Sequence, residues 1–410
     1  MTSSGPGLRS APAERALPRP RPRRRGLDWA TLARADLVLV ATALAASALG
    51  AVLVHSATRA EAGDAYLVRH LINLAVGVLI ALVVLRLDRS ALRTLAPLLY
   101  AAGVVGLVLV LTPVGSMING SRSWIQLPGG FSIQPSELAK VALCVALPML
   151  LAPAAERRQR PSPREILLAG VLTAIPVGLV MLQPDLGSAL VLVALALGVL
   201  VVSGAAWPWL LGILVAGAGC VLAAFTTPLL SGYQRDRLTA FLDPGADPLG
   251  IGYQTQQVRA AIASGGWSGQ GLYAGERTQA GVIPFQETDF VYSVAGEELG
   301  FLGAAFVVVL LGLLVARVAL AGMRTPDAFA RLVCWGVATW FAAQAVENIG
   351  MNLGVLPVTG LPLPFVSYGG SSMFACWIAV ALVLVSTTEP YRRRRAAAAG
   401  NSPITVWERG

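Results

Sequence analysis

The stretch QPSELAKVALCVALPMLLA, residues 134–152, decides the fold of this chain. It is apolar over most of a membrane's thickness, yet it carries Lys140, the only lysine among 31 lysines and arginines. An ionised group at bilayer depth costs roughly 2.5–3.5 kcal/mol on the gentlest scale unless it is paired. Glu137 stands three residues earlier, on the same helical face. Asp185, in QPDLGSAL (183–190), is a further charge between apolar runs. Two readings fit these three residues: a buried ion cluster that holds helices together, or part of a substrate or ion site.

Outward from that stretch the composition is that of a membrane protein. Hydrophobic residues make up 55% of the chain and charged residues 13%, with a mean hydropathy of +0.67. About ten apolar runs approach the ~20 residues a span requires. They are 36–56, 67–86, 91–112, 134–153, 166–183, 187–203, 206–226, 289–316, 330–350 and 369–387. The expected fold is an all-α integral membrane protein of about ten transmembrane helices, with a large extracytoplasmic loop, 227–288, between the seventh and eighth. Residues 1–34 form a Pro/Arg-rich tail expected to be disordered. Residues 35–390 form the membrane domain, and 391–410 a second basic tail. The first 30 residues lack the apolar core of a cleavable signal peptide.

Arginine placement orients the spans. Arg9–Arg25, Arg86/Arg89/Arg93, Arg157/Arg158/Arg160/Arg164, Arg317/Arg324/Arg331 and Arg392–Arg395 all fall on one side if there are ten spans. The positive-inside rule makes that side cytoplasmic, with both termini inside. The net charge of +9 then reads as topology and contact with anionic membrane lipids, not as nucleic-acid binding. Cys144, Cys220, Cys334 and Cys376 lie in predicted spans without paired spacing and read as small apolar fillers. His55 and His70 are isolated, so no metal site is expected.

Three polar segments remain for the other face: 113–133, 227–288 and 351–368. Loops this long in a compact protein are functional or disordered, and their aromatic and apolar residues predict order. In the second loop, 253–263 reads as a short interfacial amphipathic helix. SGGWSGQGL (264–272) has the glycines of a phosphate cradle but lacks the flanking pattern of a P-loop. Asp289 ends this loop in ETDFVYSVAGEELG; a carboxylate there is either a helix N-cap or a general base at the membrane surface. Of Glu297 and Glu298, at least one must face the bundle interior. In PVTGLPLPFVSYGGSS (357–372), Ser367, Tyr368, Gly369 and Ser371 open the last span. Small hydroxyl residues at a helix start suit a phosphate-bearing ligand or, equally, close helix packing.

Four blocks together resemble a known family. GSRSWIQLPGGFSIQPSELAK (120–140), QPDLGSAL (183–190), ETDFVYSVAGEELGFLG (287–303) and NIGMNLGVLPVTGLPLPFVSYGGSS (348–372) are similar, in order, to the SEDS family of cell-wall polymerases. The last block resembles the RodA branch more than the FtsW branch. The resemblance covers about residues 35–390 and implies a peptidoglycan glycosyltransferase of the bacterial cytoplasmic membrane. Its substrate would be lipid II, a disaccharide-pentapeptide on undecaprenyl diphosphate, joined into glycan strands at the outer face for cell elongation. Its partner would be a class B penicillin-binding protein.

The family's loop aspartate matches Asp289, whose implied role is general base. Arg122, Arg235, Arg237, Arg259 and Arg277 are the external cations considered for the diphosphate, with Arg122, beside Trp124, in the best-matching block. The resemblance also implies that Glu137, Lys140 and Asp185 form one buried network. No cofactor is certain; a divalent cation, Mg or Mn, would share the charge, although no ligand cluster names one. The chain departs from the family's PExHTD pattern. Phe285 and Glu287 replace its glutamate and histidine, so Glu287 becomes the expected charged neighbour of Asp289. Gly281 replaces a glutamate that some members carry. The competing functions are a lipid II flippase and a non-catalytic scaffold.

Overall fold

The computed structural model of the chain describes residues 36–118, 121–128, 131–226, 241 and 250–400. The tail 1–34, the loop arginines Arg235 and Arg237 and the last ten residues lie outside the described residues. Helices α1 (Leu37–Ala62), α2 (Ala65–Val84) and α3 (Arg89–Leu111) are followed by three short strands, β1 (Ser116–Ile118), β2 (Ser121–Leu127) and β3 (Phe131–Ile133). Then come α4 (Pro135–Glu156), α5 (Pro163–Met181), α6 (Leu186–Val202) and α7 (Trp207–Thr226). Helices α8 (Ile251–Ser264), α9 (Glu276–Gln279) and α10 (Val291–Glu298) precede α11 (Gly300–Arg324), α12 (Ala328–Leu353) and α13 (Gly370–Gly400).

Helix starts follow from local chemistry. Asp36, Asp88, Asp185 and Asp327 each accept a backbone N–H from the first turn of α1, α3, α6 and α12. Ser162 and Glu165 form a capping box at α5. Among the described residues, α1 to α5 and α11 to α13 are long and apolar enough to cross a membrane, making this a helical integral membrane fold. Helix α6, at 17 residues, is shorter, and α13 continues to Gly400, into the stretch expected as a tail.

Helices α4, α12 and α13 form the centre. Helix α12 packs against α4, α6, α11 and α13, and α13 lies along α2. Peripheral helices turn apolar side chains outward, Val68, Leu79 and Val83 on α2 and Leu98 and Val105 on α3 among them. Apolar surface on this scale belongs in lipid. Helix α1 passes so close to Val366 that a Cβ at Gly50 would overlap its backbone. At the end of the bundle without the large loops, ion pairs Arg93–Glu156 (2.6 Å), Arg89–Asp327 (3.2 Å) and Arg317–Asp36 (2.6 Å) gather the ends of α1, α3, α4, α11 and α12.

Two expectations need correction. The fold is not purely α: β1, β2 and β3 form an antiparallel sheet, in that order, within the first polar segment. The run 289–316 is not one span. It is broken between α10 and α11, where Gly300 has φ 66° and the chain 265–271 wedges between the two helix ends. The Gln270 and Gly271 N–H groups donate to the last carbonyls of α10, and the Phe301 and Leu302 N–H groups donate to Gly266 and Trp267. The wedge thus satisfies the backbone groups that two helix ends leave orphaned. Glu297 and Glu298 are therefore not in a span. Both are fully buried: Glu297 accepts from Arg277 N, Thr278 N and Thr278 Oγ1, and Glu298 from Ser56, Tyr273, Gly275 and Gln279. Helix α8 is amphipathic, as expected for 253–263: Tyr253, Gln256 and Arg259 are exposed on one face. Its Val258 and Ala261 are buried in a small core with Ile283, Phe290, Met351 and Val358, which seats the second loop on α12.

Candidate active site

The three loop segments meet over a cavity of about 400 Å³. Tyr66 closes it from the start of α2, and Ser121, Ser123 and Trp124 from the sheet. Asp185 comes from the α5–α6 break, Glu287 and Asp289 from the loop before α10, and Tyr368 and Gly369 from the turn into α13.

The loop carrying Asp289 is wound on one atom. The N–H groups of Thr288, Asp289 and Phe290 all donate to the Phe285 carbonyl, at 3.2, 3.0 and 3.3 Å. The winding holds Phe285 at φ 57°, a region that side chains other than glycine seldom adopt. Gln286 Nε2 fixes the winding from below by donating to the carbonyls of Ala57 and Thr278. The turn into α13 is zipped to it. Tyr368 N donates to Glu287 O at 2.9 Å, and Ser367 Oγ donates to Thr288 O.

Asp289 lines the cavity and is not the cap of α10. That position is Phe290, which makes no side-chain capping bond. Glu287 also lines the cavity. Burial, with the like charge of Glu61 adding to it, raises its carboxyl above the usual range; the expected charged neighbour Asp289 is not among the causes. The folded protein thus keeps this proton to a higher pH than the unfolded chain, whose Glu titrates near ~4.3. Stability then falls as pH rises from that value through the raised one. Glu287→Gln will abolish this dependence. Its melting temperature at neutral pH will match or exceed the wild type's, and the difference will close below about pH 4.

Other expected residues divide. Trp124, Tyr368 and Gly369 line the cavity, and so does Ser372 rather than Ser371. Ser371 instead accepts from Gln134 N (2.9 Å) and donates to Ser132 O (3.0 Å), pinning the sheet to α13. Ser367 serves the loop zipper and also accepts from Leu363 N. Arg122 does not line the cavity. It lies beside Gly115 instead. Arg259 sits beside Gly354, and Arg277 reaches Gln257 at 3.4 Å.

The expected ion network is smaller than three residues. Lys140 and Glu137 pair at 2.7 Å, both fully buried, and Lys140 also donates to Gln344 Oε1 at 2.8 Å and faces the Trp340 ring at 5.2 Å. Asp185 stands apart. A carboxylate directly before a helix is drawn to that helix's free N–H groups, and Asp185 accepts from Ser188 N (3.0 Å) and Gln134 Nε2 (3.2 Å).

Two features were not anticipated from sequence. Glu347 is buried within electrostatic reach of Asp185 and Thr359, and was readable as a lone carboxylate inside an apolar run. Arg69, exposed and one turn along α2 from Tyr66, lies within electrostatic reach of that cavity-lining phenol. Among the described residues the cavity wall carries three carboxylates, many hydroxyls and four aromatic side chains, and no lysine or arginine. Carboxylates can accept hydrogen bonds from hydroxyl groups, and aromatic rings offer apolar faces to a ligand. Among the described residues no group of three or more His, Cys, Asp or Glu is arranged to hold a metal ion.

Comparison with known proteins agrees with this architecture. Residues 36–391 match the FtsW/RodA/SpoVE family, described as "Cell cycle protein". A probable peptidoglycan glycosyltransferase FtsW from Trichlorobacter lovleyi is 38% identical, covering 86% of this chain and 93% of that protein. Another from Coxiella burnetii is 37% identical, covering 85% and 95%. Among solved structures, a chain described under "Structural coordination of polymerization and crosslinking by a peptidoglycan synthase complex" is 39% identical, with a TM-score of 0.74 over 88% of this chain and 99% of that one. The rod-shape-determining protein RodA of Thermus thermophilus is 35% identical, with a TM-score of 0.65 over 87% and 98%. Since the match spans the membrane helices and every cavity-forming loop, the chain belongs to the FtsW/RodA/SpoVE family.

Proposed function

We propose that this chain is a peptidoglycan glycosyltransferase that polymerises lipid II, with Asp289 as general base. The observation that carries the proposal is the cavity itself: a carboxylate on a tightly wound loop, walled by hydroxyls and aromatic rings, at the loop-rich end of a membrane bundle. The acceptor sugar hydroxyl loses its proton to Asp289 as its oxygen bonds to the donor's anomeric carbon. The bond from that carbon to the diphosphate breaks, and the lipid diphosphate leaves with the electron pair. Among the described residues the wall offers no cation to the leaving group; a divalent cation, Mg or Mn, accompanying the diphosphate would offset its charge. Arginine placement supports a loop-rich end outside the cytoplasmic membrane and termini inside. The likeness to a synthase complex supports a class B penicillin-binding protein as partner.

The test is incubation of the full chain with labelled lipid II, with and without that partner, and separation of the products by size. Glycan strands are the expected result. Lipid II translocated across vesicles without strands would overturn the enzyme reading in favour of a flippase; strands from the partner alone would leave a scaffold. The elongation role rests on the RodA-like block at 348–372, whereas the named sequence relatives are FtsW proteins. A fluorescent fusion along the lateral wall supports elongation; one confined to the septum assigns division.

A further inference from the structure

We infer that Asn348 is the positioning residue for Asp289, and that a ladder of amides on α12 ties the geometry of the candidate base to the buried lysine. The inference rests on the proposed role of Asp289. Gln344, Asn348 and Asn352 follow at four-residue spacing on one face of α12, and all three are fully buried. The lowest rung cannot turn over. Gln344 Oε1 accepts from both Lys140 Nζ (2.8 Å) and Trp340 Nε1 (2.7 Å), so its Nε2 must face the other way, where it donates to Pro362 O at 2.8 Å. The next rung uses both hydrogens of one amide: Asn348 Nδ2 donates to Leu361 O at 2.7 Å and to Asp289 O at 2.8 Å. Asn352 Nδ2 adds a second donor to Asp289 O at 3.1 Å and also donates to Asn348 O at 2.8 Å.

One helix face therefore suspends two of the three loops of the cavity. The suspension matters because Asp289 precedes α10 and its carbonyl takes two side-chain donors. Holding the backbone at that carbonyl fixes the point from which the carboxylate reaches the cavity. A displacement of about 1 Å at a reacting group is enough to cost ~100-fold in rate. Asparagine suits the rung because it offers two N–H groups to two carbonyls; an aspartate of the same size offers none and sets its charge against both oxygens.

The experiment compares full-length wild type, Asn348→Asp, Asn348→Leu and Asn352→Ala, each normalised to folded protein by gel filtration. Asn348→Asp and Asn348→Leu should lower kcat for lipid II polymerisation about 100-fold while KM stays within about twofold. The acid limb of the kcat–pH profile should shift, and hydrogen–deuterium exchange across 286–290 should quicken. Asn352→Ala, which leaves the Asn348 donor in place, should lose several-fold only. A purely structural amide would change the folded yield and leave kcat per folded molecule, the pH profile and exchange at 286–290 as in wild type; that result overturns the inference. If neither Asn348 variant folds, the kcat and exchange of Asn352→Ala decide in the same way. If wild type forms no glycan, the functional reading fails separately, and unchanged exchange at 286–290 still counts against the ladder.

Discussion

Asp289→Ala is expected to lower glycan formation by about 10²–10⁴-fold, the range a positioned general base contributes. The same variant should remain folded. Asn348 and Asn352 grip the Asp289 backbone carbonyl, which alanine also has, and the turn onto Phe285 O is made by backbone N–H groups. Melting temperature and binding to the penicillin-binding partner should therefore stay near wild type while turnover disappears. Normal polymerisation by the variant would remove Asp289 from the chemistry. A collapsed melting temperature would make it a structural residue.

Lys140→Met should act in the opposite way, on stability more than chemistry. Lys140 is enclosed by Glu137, Gln344 and Trp340 and does not line the cavity. Its removal strands a fully buried carboxylate and leaves Gln344 Oε1 with one donor, a loss of about 3–5 kcal/mol. The measurement is the amount of folded protein recovered from membranes and its melting temperature. Pairing the change with Glu137→Leu removes the stranded charge and should restore a large part of the loss. A Lys140→Met protein as stable as wild type but inactive would instead place Lys140 among the reacting groups.

Long apolar runs and the arginines between them are strong signals, and they made the bundle legible without coordinates. The break at Gly300 was not, because one glycine barely alters the hydropathy of a window and the wedge that causes it comes from residues 265–271. The sheet was missed because its alternation lasts for only the seven residues of β2, inside a segment rich in glycine and proline. Within the site, Trp124, Tyr368, Gly369 and Asp289 were legible from their blocks. Arg122 lies in the same block as Trp124 but does not line the cavity, and the register shift in β1–β2 makes the facing of 121–124 unreadable from alternation. The aspartate at 185 was read for its charge, whereas its place just before an apolar run with Ser188 three residues on is a cap pattern. Gln344, Asn348 and Asn352 were equally visible at a spacing of four. Neutral amides leave no mark on charge or hydropathy patterns, and they matter here because they orient backbone.

The interruption between α10 and α11 also bears on how the protein meets bilayers of different thickness. A membrane helix answers a thicker or thinner hydrocarbon layer by changing its tilt, at a small cost per ångström. Were α10 and α11 one rod, each adjustment would swing Asp289 through an arc at the rod's far end. The break at Gly300 instead leaves both helix ends clamped to 265–271 and α10 anchored through Glu297 and Glu298, so the acid loop is held by the loop segment and not by the end of one long rod.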